Sequence, residues 1–225
     1  YPYAVIAAIA LIGLDKKFVI TAIGTGAIQH LYRRDAWLLR WAYRQAGSVI
    51  AISNYTRREI LKRLPGLDIR VIHHAVDADE FLPGRKSELS PEDEHAIAAL
   101  KPFMLSVGGW KRRKGFEYSF AAFAEIRKRF PDLTYVICGI GPKPELEALS
   151  DVQGRVRYFK GVPWPFLRAL YRHAELFILL PVDDEKDVEG FGFAFLEAAA
   201  AGLPVIGTRD SGAEDALREG ENGFL

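Results

Sequence analysis

Short runs of β-branched and aromatic residues alternate with helical stretches along the whole chain, and no other feature limits its folding options as much. Strands that alternate with helices read as βαβ units, which build parallel sheets buried by helices on both faces. The first block holds an opening helix and the strand FVITAI (residues 18–23), followed by a helix across RDAWLLRWAYRQA. The strand SVIAIS (48–53), the helix YTRREILKRL and the strand IRVIHH (69–74) complete it. Gly47 stands where a helix C-cap would precede the second strand. The second block repeats the pattern: strand FMLSVGG, helix FEYSFAAFAEIRKRF, strand LTYVICG, helix PELEALS, strand VRYFKG, helix PFLRALYRHA, strand LFILLP and strand PVIGT.

Between the blocks, DADEFLPGRKSELSPEDEHAIAALK is polar, with a turn at Pro83-Gly84 and a helix start at Ser90-Pro91. The expected organisation is therefore an incomplete Rossmann-like domain over 1–83, a linker with a short helix over 84–100, and a second Rossmann-like domain over 101–225. The chain starts without methionine inside a helical run and stops at ENGFL inside a turn and strand, which predicts a segment of a longer protein.

The chain has 225 residues and 49% apolar composition, enough to bury a sizeable core. A formal net charge of +1 gives no reason to expect nucleic acid as a partner. The single cysteine, Cys138, excludes an internal disulfide and a cysteine-based zinc site, and it suggests a reducing compartment, the cytoplasm by default. The opening run YPYAVIAAIALIGL is shorter than the roughly 20 apolar residues that span a bilayer. His30, His73, His74, His95 and His173 show no ligand spacing, so no metal is expected.

The segment EGFGFAFLEAAAAGLPV (189–205) carries the most chemistry. Glu189 and Glu197 lie eight positions apart, which on a single helix would turn them about 80° from each other. Gly190 and Gly192 argue instead for a tight loop, with the helix starting near Phe193. The first-turn N–H groups of such a helix suit a phosphate. Glu197 would then lie roughly 6 Å along the axis, within reach of a sugar hydroxyl beside that phosphate. Ala198 to Ala201 allow close packing of the helix on a sheet, and Gly202 caps it. The second motif, GGWKRRKG (108–115), follows a strand and precedes a helix, so its cations sit where a diphosphate would lie; with no Gly-Lys-Ser/Thr, it is not a P-loop. CGIGPKPE lacks the third glycine of a dinucleotide fingerprint, and Gly139 and Gly141 read as a tight turn near the same cleft.

Residues 189–225, EGFGFAFLEAAAAGLPVIGTRDSGAEDALREGENGFL, resemble the donor-site signature of the retaining GT-B glycosyltransferases of family four. AISNYTRREIL, VIHHAVDADEF, LSVGGWKRRKGFEYSFAAF, YVICGIGPKPELEAL and VRYFKGVPWPFLRALYRHAELFILL agree in order and spacing, so the resemblance covers essentially the whole chain. It implies two Rossmann-like domains facing across a cleft, with a nucleotide-diphosphate sugar as donor and an unidentified glycan, lipid or small molecule as acceptor. No cofactor or metal is implied.

By the same resemblance Glu189 contacts the donor sugar and Glu197 the nucleotide ribose, while the turn Gly190, Phe191, Gly192 and Phe193 lies against the diphosphate. Arg113 and Lys114 hold the leaving diphosphate. Gly108 and Gly109 line the donor site with Gly139, and Gly109 occupies the position where many relatives carry the arginine. Val162 and Pro163 receive the base through backbone contacts. The expected catalytic residues are therefore Glu189, Lys114 and Arg113. Arg33, Arg34, Arg40, Arg44, Arg57, Arg58, Lys62 and Arg63 make the first block basic, which reads either as a solvated face or as peripheral contact with an anionic membrane around the acceptor. Two departures from the pattern, Ile23-Gly24 for His-Gly and no glycine-rich loop on a first strand, keep two alternative readings open: a non-catalytic nucleotide-sugar binding module and an epimerase of the same fold.

Overall fold

The computed structural model describes residues 2–81, 88–141 and 153–225. Two compact units emerge. One comprises Tyr1–His74, Asp183–Gly192 and Asp210–Ala216; the other comprises Ala75–Val182, Phe193–Arg209 and Leu217–Leu225. The chain thus leaves the second unit after β7 to contribute the glutamate loop to the first.

The first unit contains α1 (Pro2–Ala10), β1 (Val19–Ala22), α2 (Gly24–Ile28), α3 (Trp37–Gln45), β2 (Ser48–Ala51), α4 (Asn54–Leu61) and β3 (Ile69–Val71). Its sheet has the order β1-β2-β3 and is parallel, with Val19 opposite Ser48 and Val49 opposite Ile69. Ile20, Ala22, Val49, Ala51 and Ile69 point into a core shared with Leu39 and Tyr43 of α3 and with Ile60 and Leu64. Ser53 caps α4 by accepting from Thr56 N at 2.9 Å. Gly47 does not cap α3. That helix ends at Gln45 with Ala46 extended as its cap, and Gly47 is needed because a Cβ there would lie 2.9 Å from the Lys17 Cβ. The short helix α2 breaks directly out of β1 and is not evident from the apolar pattern.

The second unit contains α5 (Pro91–Ala98), β4 (Phe103–Val107), α6 (Phe116–Arg129), β5 (Thr134–Gly139), β6 (Val156–Lys160), α7 (Trp164–His173), β7 (Leu176–Ile178), α8 (Phe193–Ala200), β8 (Val205–Ile206) and β9 (Gly223–Phe224). All pairings in its sheet are parallel, in the order β6-β5-β4-β7-β8-β9. Phe103, Met104 and Leu105 of the central β4 are fully buried, as expected where a parallel strand is covered on both faces. The buried Ser106 interrupts this run without leaving a polar group unpaired: it shares a 2.7 Å hydrogen bond with the Tyr135 hydroxyl and donates to the Ile178 carbonyl. Ser90 caps α5 by accepting from Asp93 N, with Pro91 in the first turn, as the sequence predicts. The Pro83-Gly84 turn and the helix expected over PELEALS lie outside the described residues.

Candidate functional site

Ligands of an open parallel sheet bind outside the carboxyl ends of the strands, where the strand order reverses. In the second unit this point is β4, flanked by β5 on one side and β7 on the other. Gly108 and Gly109 follow β4, and Arg112–Lys114 then form one 3-10 turn before α6. Gly115 must be glycine: its φ is +61°, and a Cβ there would lie 1.7 Å from the Leu180 carbonyl oxygen. Val182 N donates to the Arg113 carbonyl at 2.9 Å, so the basic turn is also tied to the segment that follows β7. The Lys114 side chain is 9% exposed and lies across Gly108, where a Cβ would approach its Cε to 3.1 Å. Arg113 is half-buried and Arg112 exposed.

The neighbouring loop is pressed against this one. A Cβ on Gly139 would lie 2.0 Å from the Gly108 carbonyl oxygen, and one on Gly109 would lie 2.8 Å from that of Ile140. Val162 and Pro163 follow β6 at the same end of the sheet, with Pro163 as the residue before α7. The structure therefore gathers Gly108, Gly109, Arg113, Lys114, Gly139, Val162 and Pro163 at one sheet end.

Phe193 opens α8, where the glycine pattern places the helix start. The helix closes in a Schellman turn: Gly202 has φ +78°, its N–H donates to Ala199 O, and Leu203 N–H donates to Ala198 O. Glu197 projects toward α7, where the buried Tyr171 hydroxyl donates to its Oε2 at 2.6 Å. Burial raises the Glu197 pKa, and the Tyr171 hydrogen bond partly opposes that rise.

Glu189, Gly190, Phe191 and Gly192 belong to the first unit. Glu189 is 9% exposed, and its loop is clasped along the backbone. Thr25 Oγ1 accepts from Val188 N at 3.0 Å and donates to Asp187 Oδ1 at 2.7 Å. Gly212 N donates to the Glu189 carbonyl at 2.8 Å. The Ser53 and Thr56 hydroxyls both donate to the Gly190 carbonyl, at 2.5 and 3.2 Å. The Phe191 ring stacks on His73 at 5.8 Å and meets His74 edge-on at 5.6 Å. His73 Nε2 lies 3.0 Å from Asp215 Oδ1, and Asp215 also accepts from Asn54 Nδ2 at 2.7 Å.

Sequence reasoning missed most of this clasp. Thr25, Ser53, Thr56, Gly212 and Asp215 come from three separate segments, and only the Ser-x-x-Thr pattern at the start of α4 marks two of them as a helix cap. Among the described residues no group of histidine, cysteine and acidic side chains is arranged to hold a metal. No helix among them is long and apolar enough to cross a membrane.

The profile of the family described as "Glycosyl transferases group 1" matches residues 91–225, and that of "Glycosyltransferase Family 4" matches residues 1–80. The chain is 29% identical over 198 residues to a GDP-mannose-dependent alpha-(1-6)-phosphatidylinositol monomannoside mannosyltransferase of Mycolicibacterium smegmatis, a match that covers 83% of this chain and 51% of that protein. It is 32% identical over 173 residues to a D-inositol 3-phosphate glycosyltransferase of Corynebacterium urealyticum, covering 70% of this chain and 39% of that one. The chain spans about half the length of the curated relatives it matches first. The crystal structure of Anabaena HepE in complex with UDP aligns with a TM-score of 0.74 at 20% identity, over 100% of this chain and 62% of that one. At such identity it speaks to the fold alone. The two family profiles and the shared architecture establish that the chain belongs to the group 1 glycosyl transferases, as a glycosyltransferase of the family 4 type with the GT-B fold.

Proposed function

We propose that the chain is part of a retaining glycosyltransferase, with residues 101–225 binding a nucleotide-diphosphate sugar, residues 84–100 linking the domains and residues 1–83 forming part of the acceptor side. The observation that carries this reading is Lys114 lying across Gly108 at the strand-order reversal, with Arg113 beside it in a turn fixed by Gly115 and Val182. A relative named for GDP-mannose use supports a nucleotide-sugar donor, and the base is left open.

In this reading Arg113 and Lys114 bind the diphosphate, Glu189 orients the sugar, and Glu197 orients the ribose. Bond cleavage at the anomeric carbon moves negative charge onto the diphosphate, so the two cations stabilise the transition state more than the bound donor. They supply the charge that a metal ion would supply elsewhere. The burial of Lys114 strengthens that interaction, because a poorly solvated charge is less screened. The acceptor, whether glycan, lipid or small molecule, would approach from the first domain. Peripheral membrane contact there is supported by Trp37, 69% exposed, at the start of a helix that also carries Arg40 and the exposed Arg44, with Arg33 and Arg34 just before it.

Titration calorimetry with UDP, GDP, UDP-glucose and GDP-mannose, followed by an acceptor screen on the complete protein, tests the reading. Donor binding with acceptor-dependent transfer is expected. Donor binding without transfer to any acceptor would indicate a binding module, and conversion of the donor sugar without acceptor would indicate an epimerase.

A further inference from the structure

Just ahead of Glu189 the first unit contains a tight hairpin. Asp184 and Asp187 exchange backbone hydrogen bonds at 3.1 and 2.8 Å around Glu185 and Lys186, whose φ angles are +51° and +69°. Two consecutive left-handed residues define the type I′ turn, where asparagine and glycine are favoured and long side chains are costly. Other interactions must favour this geometry: the Lys186 N–H donates to Asp183 Oδ1 at 2.7 Å, and the Lys186 side chain adds three contacts. Its ammonium pairs with Asp183, lies 3.6 Å from Glu59 Oε2 and sits 5.1 Å over the Tyr32 ring.

Glu59 is a built partner. Its side chain is 5% exposed on α4, and it accepts from the Tyr32 hydroxyl at 2.9 Å and pairs with Lys62. Burial pushes its pKa up, but Lys62, Tyr32 and Lys186 together bring it below the ordinary value, so the carboxylate stays charged. The same helix holds the far end of the loop, since Ser53 and Thr56 bind the Gly190 carbonyl. Glu189 thus lies between two attachments to α4, and neither uses its own side chain.

We infer that Lys186 is a positioning residue for Glu189: paired with the buried Glu59, it holds the 184–187 turn in its left-handed form and so fixes the loop that presents Glu189 to the donor sugar. The inference rests on the reading of Glu189 as the sugar-binding carboxylate. It makes a separable demand on the ligand, because loosening this loop should affect the sugar and leave the nucleotide diphosphate alone.

The test compares Lys186→Ala, Lys186→Gly, Lys186→Arg and Glu59→Gln in the complete protein, using UDP and GDP against UDP-glucose and GDP-mannose by calorimetry, with hydrogen exchange of amides 187–192. If the competent loop falls to about one tenth of the population, nucleotide-sugar affinity falls about tenfold. That loss is expected for Lys186→Ala and Glu59→Gln, with diphosphate affinity unchanged, faster exchange in the loop, and recovery of both in Lys186→Arg. Glycine removes the side chain but suits the left-handed backbone, so Lys186→Gly should lose less than Lys186→Ala; wild-type sugar affinity and loop protection in a folded Lys186→Ala protein would overturn the proposal. Equal losses for diphosphate and sugar in a folded Lys186→Ala protein would also overturn it. If the wild-type protein binds diphosphate and sugar nucleotide alike, the Glu189 reading fails; loop exchange then decides by itself, with unchanged protection in Lys186→Ala counting against the inference.

Discussion

Gly24 and Gly190 meet backbone to backbone: a Cβ on Gly190 would lie 2.4 Å from the Gly24 Cα. Gly212 joins the contact, where a Cβ would come within 2.2 Å of the Gly190 carbonyl carbon. Three chain segments thus converge at the residue after Glu189, each without a side chain.

The first prediction follows from that contact. Gly190→Ala requires backbone movement, and overpacking of this kind costs about 1–3 kcal/mol or more. Gly154→Ala is the control, since a Cβ there meets nothing within 4 Å. Urea denaturation should show a clear drop in midpoint for the first variant and little change for the second. Matching midpoints would mean that the close approach is not maintained in solution.

Glu197 should make stability depend on pH in a defined sense. Its folded pKa lies above the ordinary 4.5, chiefly because of burial, so the native state holds the proton more tightly than the unfolded chain. The stability this contributes is fully present below about 4.5 and is lost as pH rises through the folded value. Glu197→Gln removes the loss, so its stability relative to wild type should increase across that window. Tyr171→Phe removes the hydrogen bond that opposes the shift and should extend the window upward. A stability difference between wild type and Glu197→Gln that stays constant with pH would contradict this account.

The two glutamates should separate by ligand. Glu197→Ala is expected to weaken nucleotide diphosphate and nucleotide sugar together, and Glu189→Ala to weaken only the nucleotide sugar. Calorimetry with both ligands decides, and identical profiles for the two variants would contradict the assignment.

Arg113→Ala and Lys114→Ala should each cost diphosphate binding roughly 1.5–3 kcal/mol, the range of a charge-assisted hydrogen bond, and should affect the corresponding nucleoside far less. The exposed Arg112 serves as the control. If Arg112→Ala matches Arg113→Ala, the phosphate contacts are placed one residue out of register.

On the acceptor side, the protein should sediment with vesicles rich in phosphatidylglycerol and remain free of phosphatidylcholine vesicles, with binding lost at high salt and in Trp37→Ala. Equal behaviour on both vesicle types would remove the electrostatic basis of membrane contact.

The sequence alone determined what depends on local pattern. The alternation of strand and helix implied parallel sheets, Gly190 and Gly192 delayed the helix to Phe193, and Gly202 closed it, because backbone conformation and periodic burial are properties of neighbouring residues. Strand, basic turn and helix likewise placed Arg113 and Lys114 at a sheet end. Only the tertiary structure decided which residues hold the site. Gly47 reads locally as a cap, yet it is required by the Lys17 side chain across a neighbouring segment. Thr25, Ser53, Thr56 and Gly212 clasp the Glu189 loop from positions remote in sequence, and Tyr171 reaches Glu197 from another helix. Hydrogen bonds and backbone contacts between distant segments leave no period in the sequence, because each partner carries an ordinary residue whose role exists only once the chain has folded around it.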